Sequence, residues 1–328
     1  MKKQYDVVIL GSGPAGYMAA TYVARARLSV AVFQGYQAGG QLMLSTEIEN
    51  FPGFDTGILG PELMERLEAQ AERFGAELIP QDAIAVDFRS RAFVVQTDTD
   101  EYHARAVIVA TGASARWLGL PNEQRLLGRG VSVCATCDGF FFREKDVVVV
   151  GGGDTAMEEA LFLTCYARQV TIVHRRSTFR ASPILVEKAR QHPGIRFIVE
   201  SEVVDVLGGD AVEGIYIRNT QTGTVSQLPV QGVFLAIGHH PNTDLFRGAL
   251  QLDEEGYILP VERTMTSIAG VFAAGDVADP YYRQAITAAA DGARAAMDVR
   301  RWLEQQQIEK RDLVQETVGS VIEVTRMP

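Results

Sequence analysis

Two glycine turns, the first opening at Gly11 and the second 140 residues on at Gly151, constrain this chain more than any other feature. The first, Gly11-Ser12-Gly13-Pro14-Ala15-Gly16, is entered from the β-branched run Asp6–Leu10. A helical stretch over Tyr17–Ala26 and a second apolar run, Leu28–Phe33, follow it. The second, Gly151-Gly152-Gly153-Asp154-Thr155-Ala156, is entered from Val147–Val150. It predicts a helix to Ala167 and a strand over Val170–Val173. Each is a strand–turn–helix–strand unit carrying G-x-G-x-x-G or its alanine variant. Such a turn needs glycine for tightness, for approach to a pyrophosphate and for helix-on-strand packing, while the helix N-terminus offers unpaired N–H groups to phosphate. The repeat predicts an α/β fold of two Rossmann-like three-layer nucleotide-binding domains, with parallel apolar strands beneath helices.

The residues beyond each second strand speak to nucleotide choice. An acidic residue about 20 positions past the turn ordinarily bonds ribose hydroxyls. In the first unit Gln34 stands there, leaving an amide that makes a weaker contact. In the second unit the place holds His174-Arg175-Arg176, with Arg180 further on. Cations there bond a ribose 2′-phosphate, whereas a carboxylate would select NAD, so the cluster predicts NADPH. Glu158 and Glu159 lie on the following helix, where Glu159 can reach the nucleotide or face solvent.

Between and after these units the texture changes. Residues 77–112 alternate apolar and polar, predicting antiparallel strands that end in Val107–Gly112. Val233–Gly238 and Gly270–Asp276 are further strands running into glycine, and a long helix is expected over Arg283–Gln306. The tail from Glu309 to Pro328 fits no unit. It reads as a frayed end, an added strand or a partner-packing or regulatory segment, since Val318, Val321, Ile322 and Val324 are apolar.

Cys134-Ala-Thr-Cys137 is either a redox dithiol or half a metal site. A zinc site would need two further ligands, and the sequence offers only Cys165, expected in a helix as a small core residue, and His174. No metal is therefore expected. Asp138 can exchange a proton with a thiol as the disulfide opens, or simply cap the next segment. His103 and His192 read as surface residues, and His239 and His240 as hinge or cofactor-edge residues.

The chain of 328 residues suggests two domains. Its 31 Lys+Arg against 41 Asp+Glu leave a charge of −10, which disfavours nucleic acid and anionic membrane surfaces as partners. No apolar run approaches the roughly 18 residues of a membrane span. The start, MKKQYDVVIL, has only Val7–Leu10 as an apolar stretch, too short for a signal peptide. Three cysteines cannot build a secreted disulfide framework, so a cytoplasmic protein is expected.

Taken together these motifs closely resemble the bacterial-type, low-molecular-weight NADPH-dependent thioredoxin reductases, over about residues 5–306. The resemblance is carried by both glycine turns, Gly39-Gly40-Gln41-Leu42, Glu49-Asn50-Phe-Pro-Gly53, Ala110-Thr111-Gly112, Cys134-Ala-Thr-Cys137-Asp138, His174-Arg175-Arg176 with Arg180, Gly275-Asp276-Val277 and Arg283-Gln284-Ala285. It implies an FAD domain of residues 1–116 and 245–328 with an NADPH domain, 117–244, inserted into it. FAD would be held by residues 11–16, Gln34, Gly40, Gln41, Leu42, Asn50, Thr111 and Gly112. Gly275, Asp276 (on the ribityl chain), Arg283, Gln284 and Ala285 (beside the flavin ring) would complete that site. NADPH would be held by Gly151, Gly153, Asp154, Thr155, Glu159 and the His174–Arg180 cluster. Cys137 would be the sulfur nearer the flavin, Cys134 the one attacking thioredoxin, and Asp138 the acid–base group. A homodimer is implied. The nicotinamide and the dithiol share one inserted module, so that module is expected to rotate between half-reactions. Reduction of another disulfide carrier or a peroxidase, and a ferredoxin-fed reductase, are the alternatives; the intact second turn and its arginines speak against the last.

Overall fold

The computed structural model describes residues 2–45, 47–90 and 92–324, with side chains described between 3 and 308. In chain order the first elements are β1 (Lys2–Leu10), α1 (Pro14–Arg25), β2 (Val30–Phe33), β3 (Glu47–Ile48), β4 (Ile58–Leu59), α2 (Gly60–Arg73), β5 (Glu77–Ile79), β6 (Ala85–Asp87), β7 (Phe93–Gln96) and β8 (Glu101–Val109). Next come β9 (Ala113–Ala115), α3 (Pro121–Arg125), β10 (Val131–Ser132), α4 (Ala135–Asp138), β11 (Asp146–Val150), α5 (Asp154–Leu163), β12 (Gln169–Val173), α6 (Pro183–Gln191) and β13 (Ile195–Ile198). The chain finishes with β14 (Ser201–Leu207), β15 (Gly214–Asn219), β16 (Val225–Leu228), β17 (Gly232–Leu235), β18 (His239–Pro241), β19 (Val271–Ala273) and α7 (Ala285–Val324). Two compact units result, one of residues 1–43, 59–113 and 241–328, the other of 44–58 and 114–240.

In the first unit the sheet runs β5-β2-β1-β8-β7-β6, with β19 also on β8. Val7–Leu10 pair in parallel with Val30–Phe33 on one side and with Ala106–Val109 on the other. β8 divides its far edge between Glu101–Ala104, antiparallel to β7, and Val107–Val109, parallel to β19. The alternation over 77–112 thus predicted β6–β7–β8 correctly, but β5 joins the parallel part, beside β2. α1 begins at Pro14, whose missing N–H costs nothing at that position, and α7 packs along it. At Gly292 the approach is so close that an added methyl would strike the Ala15 carbonyl.

The second unit is a parallel sheet in the order β10-β17-β11-β12-β13. Its central valines explain themselves by face: Val147 and Val149 pack with Met157, Ala160 and Leu163 of α5. Val148 and Val150 pack with Val203, Val206 and Ile215 of the antiparallel β14-β15-β16 layer. A strand buried on both sides has no polar alternation, which is why it reads as an unbroken apolar run.

Three expectations are corrected here. α5 ends at Leu163 rather than Ala167, so Cys165 falls in the turn beyond it and is exposed, not a core residue. The tail is no strand, because α7 continues through Val324; residues 325–328 lie outside the described residues. His103, on β8, has a side chain only 15% exposed and pairs with Glu101 at 2.6 Å, and His192 is half-buried with its Nδ1 accepting from the Gly194 N–H.

Candidate functional site

At the first turn the three glycines answer three demands. A methyl on Gly11 (φ +111°) would enter the Ala110 carbonyl, and one on Gly16 would enter that of Gly11. Gly13 faces open space, with nothing within 4 Å of where its Cβ would stand. That arrangement is a cradle: two glycines clench the turn against β8, and the third leaves the α1 N-terminus open to an anion. Ser12 secures the rim, its hydroxyl donating to the Gln34 carbonyl at 2.9 Å and accepting the Gly39 N–H at 3.0 Å. A side chain on Gly40 would place its Cβ only 3.3 Å from the Gly13 Cα, so the 35–40 loop lies close over the turn.

The Gln34 side chain is already engaged: its amide nitrogen donates to the Tyr17 hydroxyl and to Glu68 Oε1, each at 2.8 Å. Tyr17 and Glu68 are therefore parts of this turn that motif reading missed. The only sequence signal is that Glu68 shares the buried face of α2 with Met64, Leu67 and Ala71.

Gly275 brings the C-terminal segment onto the same turn, its Cβ position lying 2.9 Å from Ala15 and 3.3 Å from Ala288. The adjacent Asp276 has a buried Oδ1 without a hydrogen-bond partner among the described residues. Burial, reinforced by Asp279 and opposed by Arg283, lifts its carboxyl to about 7. Thr111 and Gly112 are clamped to Asn242: Thr111 Oγ1 donates to the Asn242 carbonyl at 2.7 Å, and the Asn242 amide returns a bond to the Thr111 carbonyl at 2.8 Å. The Arg283 (φ +48°) backbone N–H donates to Asp279 Oδ2 at 3.2 Å, Gln284 precedes α7 and Ala285 begins it. Gln41 and Asn50 are exposed, Leu42 is half-buried, and Asn50 belongs to the segment 44–58 that clusters with the other unit.

The second turn repeats the plan. A methyl on Gly151 would enter the Ala236 carbonyl, one on Gly152 would strike the His174 ring, and Gly153 faces open space. The loop bearing the basic residues is tied down twice: Arg180 N–H donates to the Gly152 carbonyl at 2.8 Å, and Ser182 N–H to Asp154 Oδ1 at 2.6 Å. His174 stacks on Phe179, and its Nε2 meets the Thr178 carbonyl at 3.1 Å. Burial foremost, and the neighbouring Arg175, Arg176 and Arg180, push its pKa below the ordinary imidazole value. Asp154 and neutral His174 thus hold the loop, and the three exposed arginines are left facing outward. Thr155 and Glu159 are half-buried on the first turns of α5.

On the same unit Cys134 and Cys137 form a disulfide with Cα atoms 5.4 Å apart, across the single-turn helix α4. The Cys134 N–H donates to buried Ser132 Oγ at 3.0 Å. Asp138 closes α4. Its burial raises the carboxyl above the ordinary carboxylate value, a shift the Ser132 hydroxyl only partly opposes. Ser132 is a second residue that the motif alone does not reveal. An acid poised next to a dithiol, on a module that also bears a nucleotide turn, is equipped for disulfide exchange.

Comparison with known proteins agrees with this geometry. Residues 5–292 match the pyridine nucleotide-disulphide oxidoreductase family. A thioredoxin reductase of Streptomyces coelicolor is 57% identical over 301 residues, covering 91% of this chain and 94% of that one. A Pseudomonas fluorescens protein named glucosaminate ammonia-lyase is 51% identical over 307 residues, covering 91% and 95%. The crystal structure of thioredoxin reductase from Streptococcus pyogenes superposes with a TM-score of 0.88 at 43% identity, over 92% of this chain and 99% of that one. The chain belongs to the pyridine nucleotide-disulphide oxidoreductase family, among the bacterial-type thioredoxin reductases.

Proposed function

We propose that this enzyme oxidises NADPH and reduces the disulfide of thioredoxin through FAD. The observation that carries the reading is the Cys134–Cys137 disulfide on the same unit as an intact glycine turn and its arginines. Bound FAD supplies the two-electron relay between nicotinamide and disulfide. The residues present fit such a group: Gly13 leaves room for a pyrophosphate at the α1 N-terminus, and the buried Asp276 Oδ1 lacks the donor that a ribityl hydroxyl would provide. We assign residues 11–16, Gly40 and Gly275–Asp276 to its binding.

The second turn holds the NADPH pyrophosphate, and Arg175, Arg176 and Arg180 take the 2′-phosphate. After reduction, the Cys134 thiolate attacks the thioredoxin disulfide and forms a mixed disulfide. Cys137 then attacks Cys134 Sγ, which releases reduced thioredoxin and restores the internal bond. Asp138, whose carboxyl burial pushes above the ordinary carboxylate value, is the group that exchanges a proton with the Cys137 thiolate, giving it after reduction and taking it back when Cys137 attacks. Because both redox ends lie on residues 114–240, serving one flavin requires this segment to turn about its two crossings, after Ala113 and before Pro241.

The reading extends to a cytoplasmic homodimer, as the resemblance implies. Among the described residues no helix is long and apolar enough to cross a membrane. Ammonia elimination makes no use of a vicinal dithiol, so the disulfide favours the reductase. The test is NADPH, NADH and reduced ferredoxin consumption by the purified protein, with and without thioredoxin, alongside Cys134→Ser. NADPH oxidation that depends on both thioredoxin and Cys134 is expected; turnover surviving in Cys134→Ser would overturn the assignment.

A further inference from the structure

The first glycine turn lacks the carboxylate that ordinarily meets an adenosine ribose, yet a carboxylate stands one residue deeper. Glu68 projects from the α2 face formed by Met64, Leu67 and Ala71, where helical spacing calls for an apolar side chain. Its Oε1 accepts from Gln34 Nε2 at 2.8 Å, and the same nitrogen donates to the Tyr17 hydroxyl at 2.8 Å. Gln34 thus ties together three side chains, its own at the end of β2, Tyr17 of α1 and Glu68 of α2, and burial, helped by the Glu68 charge beside it, raises the Tyr17 pKa to about 12. A glutamine amide has two N–H donors and one carbonyl acceptor. With both donors spent on Tyr17 and Glu68, Oε1 has a single orientation left, and no described donor meets it.

We infer that Glu68 and Tyr17 are positioning residues that fix the Gln34 amide so that its Oε1 accepts a ribose hydroxyl of the FAD adenosine, restoring the acceptor the missing acid would supply. A free glutamine would present oxygen or nitrogen with near-equal ease; a pinned one presents the oxygen. Ser12 places the group, since its hydroxyl holds the Gln34 carbonyl beside the turn at 2.9 Å. A carboxylate at position 34 itself would lie against Glu68 and repel it, so the glutamine and the half-buried glutamate belong together. The inference rests on the first unit being the flavin unit.

The experiment titrates flavin-depleted protein with FAD and with its 2′-deoxyadenosine and 3′-deoxyadenosine analogues, read by flavin fluorescence. Wild type should prefer FAD over one of the analogues by about 5–10-fold, the worth of one hydrogen bond. Glu68→Leu should weaken FAD by a similar factor and lose that preference, while Glu68→Gln, which still accepts from Gln34, should retain it. Gln34→Leu provides the same measurement should Glu68→Leu not fold. Equal weakening of FAD and both analogues, or a wild type indifferent to either hydroxyl, overturns the proposal. A protein that takes up no FAD at all overturns instead the flavin reading beneath it.

Discussion

The backbone N–H of Arg180 donates to the carbonyl of Gly152 at 2.8 Å, so the loop bearing the basic cluster is fastened to the glycine turn that would hold a pyrophosphate. Phosphate recognition at one end of a nucleotide is thereby registered against recognition at the other. Replacing Arg175 or Arg180 by alanine should raise KM for NADPH on the order of 10–100-fold, the scale of a lost charge-assisted bond, while kcat changes little. KM for NADH should hardly move. Steady-state kinetics with both nucleotides check this.

Asp138 should matter to thiol chemistry and not to nucleotide binding. Its burial keeps a proton on the carboxyl beyond the ordinary carboxylate range. Asp138→Asn should slow electron exchange with the disulfide by on the order of 100-fold, with KM for NADPH retained. Rapid-mixing absorbance during reduction by NADPH reads the step directly.

Asp276 gives a pH signature. In flavin-free protein its folded-state pKa is about 7, above that of the unfolded chain. Between about pH 4 and that value the folded protein holds a proton the unfolded chain has released, so the stability tied to this group falls as pH rises. Asp276→Asn removes the dependence. Thermal melts of flavin-free wild type and variant should diverge as pH rises through this window, the variant becoming relatively more stable.

Gly292 permits α7 to touch α1 at the Ala15 carbonyl. Gly292→Val forces the two helices apart, at a cost of about 1–3 kcal/mol typical of overpacking. Melting should drop by roughly 5 °C, and flavin should leave more readily because Ala15 and Gly275 belong to the same turn. Differential scanning fluorimetry and flavin release measure the two effects.

The two glycine turns, their strands and the dithiol were legible because each rests on local chemistry: glycines packed at a helix start, an unbroken apolar run, a pair of sulfurs at fixed spacing. What stayed hidden depends on partners far along the chain. Glu68 reads as one more helical glutamate until Gln34 lies 2.8 Å away, and Ser132 gains meaning only from Asp138 and the Cys134 N–H. Cys165 was misplaced for a smaller reason, since α5 stops at Leu163 and turns the thiol outward. His174 was legible as part of a basic cluster, but not as the neutral ring wedged against Gly152.

The division of β8's edge has a consequence for how the polypeptide emerges from the ribosome. On the edge turned away from β1, Val107–Val109 are partnered by Val271–Ala273, and α1 finds α7 later still. While residues 114–240 are being synthesised and can complete their own sheet, the earlier part of the nascent chain waits with an open apolar strand. Translation that stalls before residue 271 leaves the Val107–Val109 edge unpaired, an exposed apolar edge of the kind that templates aggregation.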